Sequence, residues 1–501
     1  MLGTSAEPRL WLAGGTMAGG PHVNGSSLRG RADDAVGRLV ESLIRGHHRR
    51  RLARKGWSAI LDGDPTIAVD AASSPVRDGN SVEIFVDGHD AFAGMLAMIE
   101  GAQRSVHIAG WHATPDFELT RGSIPKALGD VLRVAAERAR VRVLLWGGAQ
   151  VPVIRPTRSD ARQARDAFAR LPGVSVALDT HEYLQHCHHE KLLVVDDRVA
   201  FVGGLDMTHL TADRWDATAH EARPTLGWHD AAARLGGPVV GDIAAHFNAR
   251  WAEVTGERLP VPELPQRAGP HAVQFLRTIP ENVYSFVPHG EFSILAEYRR
   301  ALASAQHLVY LENQFLWAPE IVDILEDKVL RPPGSDFRMI LLLPSHPSSG
   351  RDTTLGQLAR LVQADLDHRL LAVTLQPMAV DIPGTYVHAK VGIVDDCWLT
   401  VGSANLNAHS LFNDTEANVV FTDPDLVRRT RLRLWAEHLG TDDVDGDPAR
   451  LFDEQWARIA YEQLARRRDR LPPTHRLCQL EGVSARRDLV LGGLVGLLVD
   501  G

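Results

Sequence analysis

One pattern occurs twice in this chain and constrains everything else: His-x-Lys-x4-Asp. The copies are His189-Glu-Lys191-Leu-Leu-Val-Val-Asp196 and His388-Ala-Lys390-Val-Gly-Ile-Val-Asp395. Each sits in the same context, an apolar run, a polar turn and a second apolar run ending in glycine. That context predicts strand, tight turn, strand. The turns are Asp196-Asp197-Arg198 and Asp395-Asp396-Cys397. Only five of the 54 basic residues are lysines (Lys55, Lys126, Lys191, Lys328 and Lys390), and two of the five fall in these motifs. Chance is therefore a poor explanation for both copies.

A duplicated motif predicts a duplicated fold. From about residue 81 the pattern alternates: strand Val82–Val86, helix Asp90–Gln103, strand Ser105–Trp111, helix Ile124–Arg140, strand Val141–Trp146. After the Pro-rich stretch Leu259-Pro-Val-Pro-Glu-Leu-Pro265 the order returns. Helix Phe292–Ala305 is followed by strand His307–Leu311, helix Pro319–Val329, strand Phe337–Leu343 and helix Gly356–Asp367. Alternation of this kind predicts an α/β protein. The expectation is two similar α/β/α sandwich halves packed pseudo-symmetrically around one active site. The expected boundaries are 1–80 (disordered N-terminus and basic helix), 81–258 (first repeat), 259–272 (linker), 273–440 (second repeat) and 441–501 (helical tail, with helix Pro448–Arg468).

At 501 residues the chain has room for two core-forming units. Its net charge of −9 supplies no basic field for nucleic acid, so no nucleic-acid partner is expected. Cys187, Cys397 and Cys478 are odd in number and widely spaced, which points to a reducing, cytoplasmic setting without disulfides. Met1–Pro21 lacks the basic and apolar regions of a signal peptide. Leu489–Val499 is too short to span a bilayer and reads as a buried terminal segment. The basic run from Arg45 to Lys55 reads either as a solvated helix face or as a contact with an anionic membrane surface.

The motifs combine groups suited to phosphoryl chemistry. Histidine can attack phosphorus or move a proton near neutral pH. Lysine offers a compact charge to phosphate oxygens. On a strand, residues i and i+2 share a face, so His189 would lie beside Lys191 and His388 beside Lys390. Two histidines allow one to attack and the other to protonate the leaving alkoxide, with no metal and no cofactor. Each histidine needs a group to fix its tautomer. The matched spacing offers Asp216, 27 residues after His189, and Glu416, 28 residues after His388. His181, His186, Cys187, His188 and His189 crowd one stretch, but alternation sends His188 and His189 to opposite faces, so no metal site is expected there.

The surroundings of the motifs resemble the phospholipase D superfamily in its two-motif form. Gly402-Ser-Ala-Asn405 and Asn413-Asp-Thr-Glu416 are similar to that family's G-S-x-N and D-T-E. Phe201-Val-Gly-Gly-Leu-Asp206, Arg214-Trp-Asp216, Trp228-His229-Asp230 with Gly237-Pro238, and Tyr310-Leu-Glu-Asn-Gln-Phe315 resemble further family elements. The resemblance covers roughly residues 81–440. It implies release of a headgroup alcohol from a glycerophospholipid through a phosphohistidine, with headgroup exchange as a second outcome. Cardiolipin-synthase-like transfer and nuclease activity are the alternatives within the superfamily. It implies His189 as nucleophile and His388 as general acid and base. Lys191, Lys390 and Asn405 would hold the phosphate, and Asp216 and Glu416 would orient the histidines. Asp196 and Asp395 would support the hairpins. The implied partner is a phospholipid, met by a monomer through peripheral membrane contact. Two departures stand out: the first half has Gly203-Gly204 and Asp206 in place of G-S-x-N, and His409 stands where relatives often carry Arg.

Overall fold

The computed structural model describes residues 28–66, 74–150, 155–182, 186–217, 225–346, 351–379 and 384–481. The Gly-rich start of the chain and Leu489–Val499 lie outside these residues. Among the described residues, each half contributes seven strands to the main path of one continuous sheet, and the short strand Glu291–Phe292 pairs with it off that path. In the first half they are β1 (Arg77–Val86), β2 (Ser105–Gly110), β3 (Arg140–Trp146), β4 (Val174–Asp179), β5 (Leu192–Val195), β6 (Val199–Gly203) and β7 (Ala231–Gly236). In the second they are β8 (His271–Ile279), β9 (Leu308–Glu312), β10 (Arg338–Leu342), β11 (Leu370–Leu375), β12 (Val391–Val394), β13 (Trp398–Gly402) and β14 (Glu416–Phe421). A last strand, β15 (Leu477–Gln479), covers one edge.

The order across the sheet is β15-β11-β10-β9-β12-β13-β14-β8-β1-β7-β6-β5-β2-β3-β4. Setting β15 aside, this order is a palindrome about the β8–β1 pair: β14 mirrors β7, β13 mirrors β6 and β12 mirrors β5. The parallel pairs β2–β3–β4 and β9–β10–β11 lie far from the centre, and antiparallel strands fill the middle. That layout follows from the connections: tight turns join β5 to β6 and β12 to β13, whereas the parallel strands are linked through helices. β15 adds a strand to a tail expected to be helical, pairing antiparallel with β11.

The sheet carries helices on both faces. One core joins the halves: Phe247 and Trp251 of helix α3 (Val239–Thr255) and Leu434 and Trp435 of helix α6 (Pro424–Leu439) pack with inward residues of both sets of strands. The opposite face is split in two. Helix α2 (Gly88–Gly101) covers the first half, and helices α4 (Ser293–Ser304) and α5 (Pro319–Leu330) cover the second. Burying such side chains contributes roughly 1.5–3 kcal/mol each, and sharing one core fixes the halves against each other.

The basic segment is engaged within the protein on one side, while His47, Arg49, Arg50 and Arg54 are exposed. Helix α1 (Leu28–Arg54) docks on the second half, with Leu52 in its core and His48 stacked on Phe412 at 4.2 Å. Arg51 donates to Glu281 at 2.8 Å and to the Phe412 carbonyl at 2.5 Å, and Lys55 donates to Asn282. Arg51 and Lys55 pair in this way because the turn beneath them offers acceptors. None of the helices is long and apolar enough to cross a membrane, among the described residues.

Candidate active site

The two motifs meet where the halves join. The regular strands begin at Leu192 and Val391, not at the histidines. The reason is hydrogen bonding: the His189 and Glu190 amides both donate to the Thr415 carbonyl, and the His388 and Ala389 amides both donate to the His229 carbonyl. Each motif head is thus tied to the opposite half. Glu190 anchors the first head further, accepting from His246 at 2.7 Å and pairing with Arg250, both on α3. Nearby, Gly227–His229 and Thr385–Val387 form a parallel pair across the junction, with Tyr386 opposite Trp228.

The side chains cross over in the same way. The His189 Nδ1–H donates to Glu416 at 3.0 Å, and the His388 Nδ1–H donates to Asp230 at 2.6 Å. The expected pairing of Asp216 with a histidine is therefore corrected. Asp216 is buried, but its carboxylate accepts from the backbone of Ala217, and the carbonyl accepts from His89. The true counterpart of Glu416 is Asp230. The segments match residue for residue: Thr415, Glu416 and Ala417 take the places of His229, Asp230 and Ala231, down to the amides that bond Thr415, His229, Ala417 and Ala231. The same mirror explains the glycine in the first half. A Cβ at Gly204 would overlap the Asp230 carboxylate, whereas the equivalent Ser403 donates its hydroxyl to Glu416, as does Ser410 at 2.5 Å.

The lysines sit behind the histidines and are almost fully buried. Lys191 Nζ donates to the His189 carbonyl at 2.6 Å and pairs with Asp206 at 3.2 Å. Lys390 Nζ donates to the His388 carbonyl and reaches Gln314 at 3.3 Å. Asn405 also donates to Gln314, at 3.4 Å, so this glutamine gathers the expected phosphate ligands of the second half. Asp206 stands at the position equivalent to Asn405 and partly neutralises Lys191, whereas Lys390 lies beside the Gln314 amide. Asp196 and Asp395 lie at the far ends of their strands. Asp196 accepts from the amides of Gln103, Arg104 and Ser105, and Asp395 from those of Gln306, His307 and Leu308.

A cleft of about 600 Å³ opens over both histidines, lined also by Trp111, Trp228, Gln314 and Tyr386. Trp228 stacks on the His388 ring at 3.8 Å and fixes its plane. In the sequence Trp228 and Asp230 share one motif, whose pattern alone marks neither as part of the site. Of the other quoted residues, Glu312 is buried between His229 at 2.8 Å and His438 at 3.0 Å, and Asn313 accepts from backbone amides. Trp317 packs beside His409, 5.8 Å between ring centroids.

Burial sets the electrostatics. It pushes Glu416 up to about 8 and Asp230 up to about 7. It also holds His388 well below the usual histidine range, with Lys390, Lys191 and Arg214 acting in the same direction. A phosphate anion entering the cleft would offset those cations and favour the charged imidazole. The arrangement supplies two imidazoles held at Nδ1, two orienting acids and two cations at one cleft.

The histidine-rich stretch does not gather around one point. His181 and His188 both turn to Asp179, His189 turns to Glu416, and the Cys187 side chain packs among Trp111 and Trp146.

A family model described as "Cardiolipin synthase, PLD-like domain" matches residues 298–435. "Phospholipase D A" of Dictyostelium discoideum is 26% identical over 73% of this chain and 36% of its own length. "Phospholipase D1" of Schizosaccharomyces pombe is 23% identical over the same shares, 73% and 36%. "Phospholipase D2" of Bos taurus is 24% identical over 70% of this chain and 50% of its own length. The chain thus spans only about a third to a half of the length of these relatives. In fold it is similar to a solved phosphatidylserine synthase of Haemophilus influenzae, with a TM-score of 0.52, 12% identity and coverage of 79% of this chain and 97% of that one. The crossed histidine–carboxylate pairs and the mirrored sheet thus sit in a chain that is similar in sequence to these phospholipase D proteins and, over residues 298–435, to the PLD-like domain.

Proposed function

We propose that the chain is a phospholipase D: it cleaves the distal phosphodiester of glycerophospholipids, giving phosphatidic acid and a free alcohol. The observation that carries this reading is the pair of histidines on one cleft, each held at Nδ1 by a carboxylate from the other half. Glu416 keeps the His189 Nε2 lone pair toward the cleft, where it attacks phosphorus. The P–O bond to the headgroup breaks, and His388 Nε2 delivers its proton to the leaving alkoxide. His388 then takes a proton from water, which attacks the phosphohistidine. The P–N bond breaks and His189 is restored. Lys191, Lys390 and Asn405, the last through Gln314, hold the phosphoryl oxygens. An alcohol in place of water gives headgroup exchange, and the match to a cardiolipin-synthase-type family model supports that second acceptor. Both routes use the same chain without a metal or cofactor in the chemical step, acting on a membrane surface as a monomer in the cytoplasm.

The test is headgroup release from phosphatidylcholine, phosphatidylethanolamine and phosphatidylglycerol vesicles, with products resolved by mass. Expected is phosphatidic acid from the wild type and loss of at least about 10³-fold in rate for His189→Ala. Turnover of DNA but of no phospholipid would overturn the reading in favour of a nuclease.

A further inference from the structure

Three side chains without a part in that reaction converge beside it. His186 lies three residues ahead of His189. His409 and Asp414 bound the π-helical turn His409–Asn413, which leads directly into Glu416. Their ligand atoms all lie within 4.8 Å of one another, and all three residues are buried or partly buried. His186 Nδ1 stands 3.8 Å from Asp414 Oδ1, and the two imidazoles are 5.7 Å apart between centroids. His186 Nδ1 is shielded from solvent and makes no hydrogen bond. Asp414 is already positioned, because its Oδ1 accepts from the Cys187 amide at 2.8 Å.

We propose that His186, His409 and Asp414 form a binding site for a divalent transition metal, with zinc the best fit. The donor set decides the class. Two imidazoles and one carboxylate suit zinc and its neighbours, with water completing the tetrahedron. Calcium and magnesium require more oxygen donors than this site offers. Tetrahedral zinc bonds of ~2.0–2.1 Å put ligand atoms roughly 3.3 Å apart, so closure asks each side chain to move by about 1 Å. The nearby Arg51 is engaged by Glu281 and Asn413, so its charge is matched within the protein. The other His–carboxylate group, His229 with Glu437 and His438, is the weaker candidate because Asp87 and Glu312 already occupy the His229 nitrogens.

The ligands come from both halves. His186 precedes the segment that carries His189, and Asp414 precedes the segment that carries Glu416. A metal here would staple the two segments whose contact orients His189. The role is structural and lies outside the chemical step.

The experiment is a titration of the full-length, chelator-treated chain with zinc chloride, read by calorimetry and by the melting temperature. Expected is one equivalent bound by the wild type, with a rise in melting temperature that grows with zinc concentration. His186→Ala, at the most exposed of the three positions, should weaken binding roughly tenfold or more and remove the rise. His409→Gln should do the same and serves as a second variant. No saturable binding by the wild type, or undiminished binding by a folded His186→Ala or His409→Gln chain, overturns the proposal.

Discussion

A buried imidazole is only as useful as the acid that fixes its tautomer, and here that acid comes from across the molecule. Asp230 holds His388 at 2.6 Å. Asp230→Asn is therefore expected to lower kcat by about 10²–10⁴-fold, as replacing the orienting acid of a catalytic triad does. Asp216→Asn, which leaves both histidine–carboxylate pairs in place, should cost at least about tenfold less than Asp230→Asn. Equal losses in the two variants would defeat this assignment. Glu416 carries a second consequence. Its folded-state value of about 8 lies above the ~4.3 of an unfolded glutamate, so the folded chain binds that proton more tightly. The resulting stability is complete below about pH 4 and is lost as pH rises through about 8. Glu416→Gln removes this titration. Its melting temperature should gain on the wild type by roughly 2–4 °C between pH 6 and pH 9, even as activity is lost. A difference that does not change with pH would show that burial does not hold the proton there. The motif histidines and lysines were legible in the sequence because spacing and residue rarity suffice to find them. Asp230 was not. Gly204 to Asp230 spans 26 residues and Ser403 to Glu416 only 13, so an insertion in the first half brought Asp216 to the spacing that its true twin should occupy.

At the scale of elements, the hairpins explain why each motif ends in aspartate. Asp395 and Asp396 both have positive φ, 52° and 51°, as do Asp196 and Asp197 at 56° and 54°. Two consecutive left-handed residues make the turn type that matches strand twist, and aspartate tolerates that conformation better than most residues. Asp395 then binds three amides at the start of β9, locking the hairpin to the strand that leads to Gln314. Asp395→Ala should therefore lower stability by about 2–3 kcal/mol, measured by urea denaturation, because three donors lose a charged acceptor at a strained turn. The kcat of the folded fraction should stay within about threefold, since the turn lies a strand's length from the cleft. A large fall in kcat without loss of stability would place Asp395 in the chemistry instead. Alternation and turn chemistry made the hairpins legible. The extended stretch ahead of them was not, because its hydrogen bonds go to Thr415 and His229, residues far away in sequence. Helix α1 shows the same limit. Its charge run was visible, but its acceptors Glu281, Asn282 and Asn413 are set by tertiary packing.

For the whole molecule, the mirror order of strands and the crossed pairs make one composite site from two incomplete ones. Neither half holds a histidine together with its acid: His189 belongs to the first half and Glu416 to the second, His388 to the second and Asp230 to the first. The shared core beneath α3 and α6 keeps the two halves packed together around those pairs. This architecture makes a sharp demand on complementation. In an arrangement where two chains pooled their motifs, mixing His189→Ala with His388→Ala protein would rebuild intact sites. Here each cleft draws both histidines from one chain, so every cleft in the mixture lacks one of them. The mixture should show no more activity than the sum of the two variants at any protein concentration, even after joint unfolding and refolding. Recovery of a quarter or more of wild-type turnover, rising with concentration, would mean that halves exchange between chains and that the working unit is a dimer. A flat result across a wide concentration range would tie both the attack and the proton transfer to a single polypeptide.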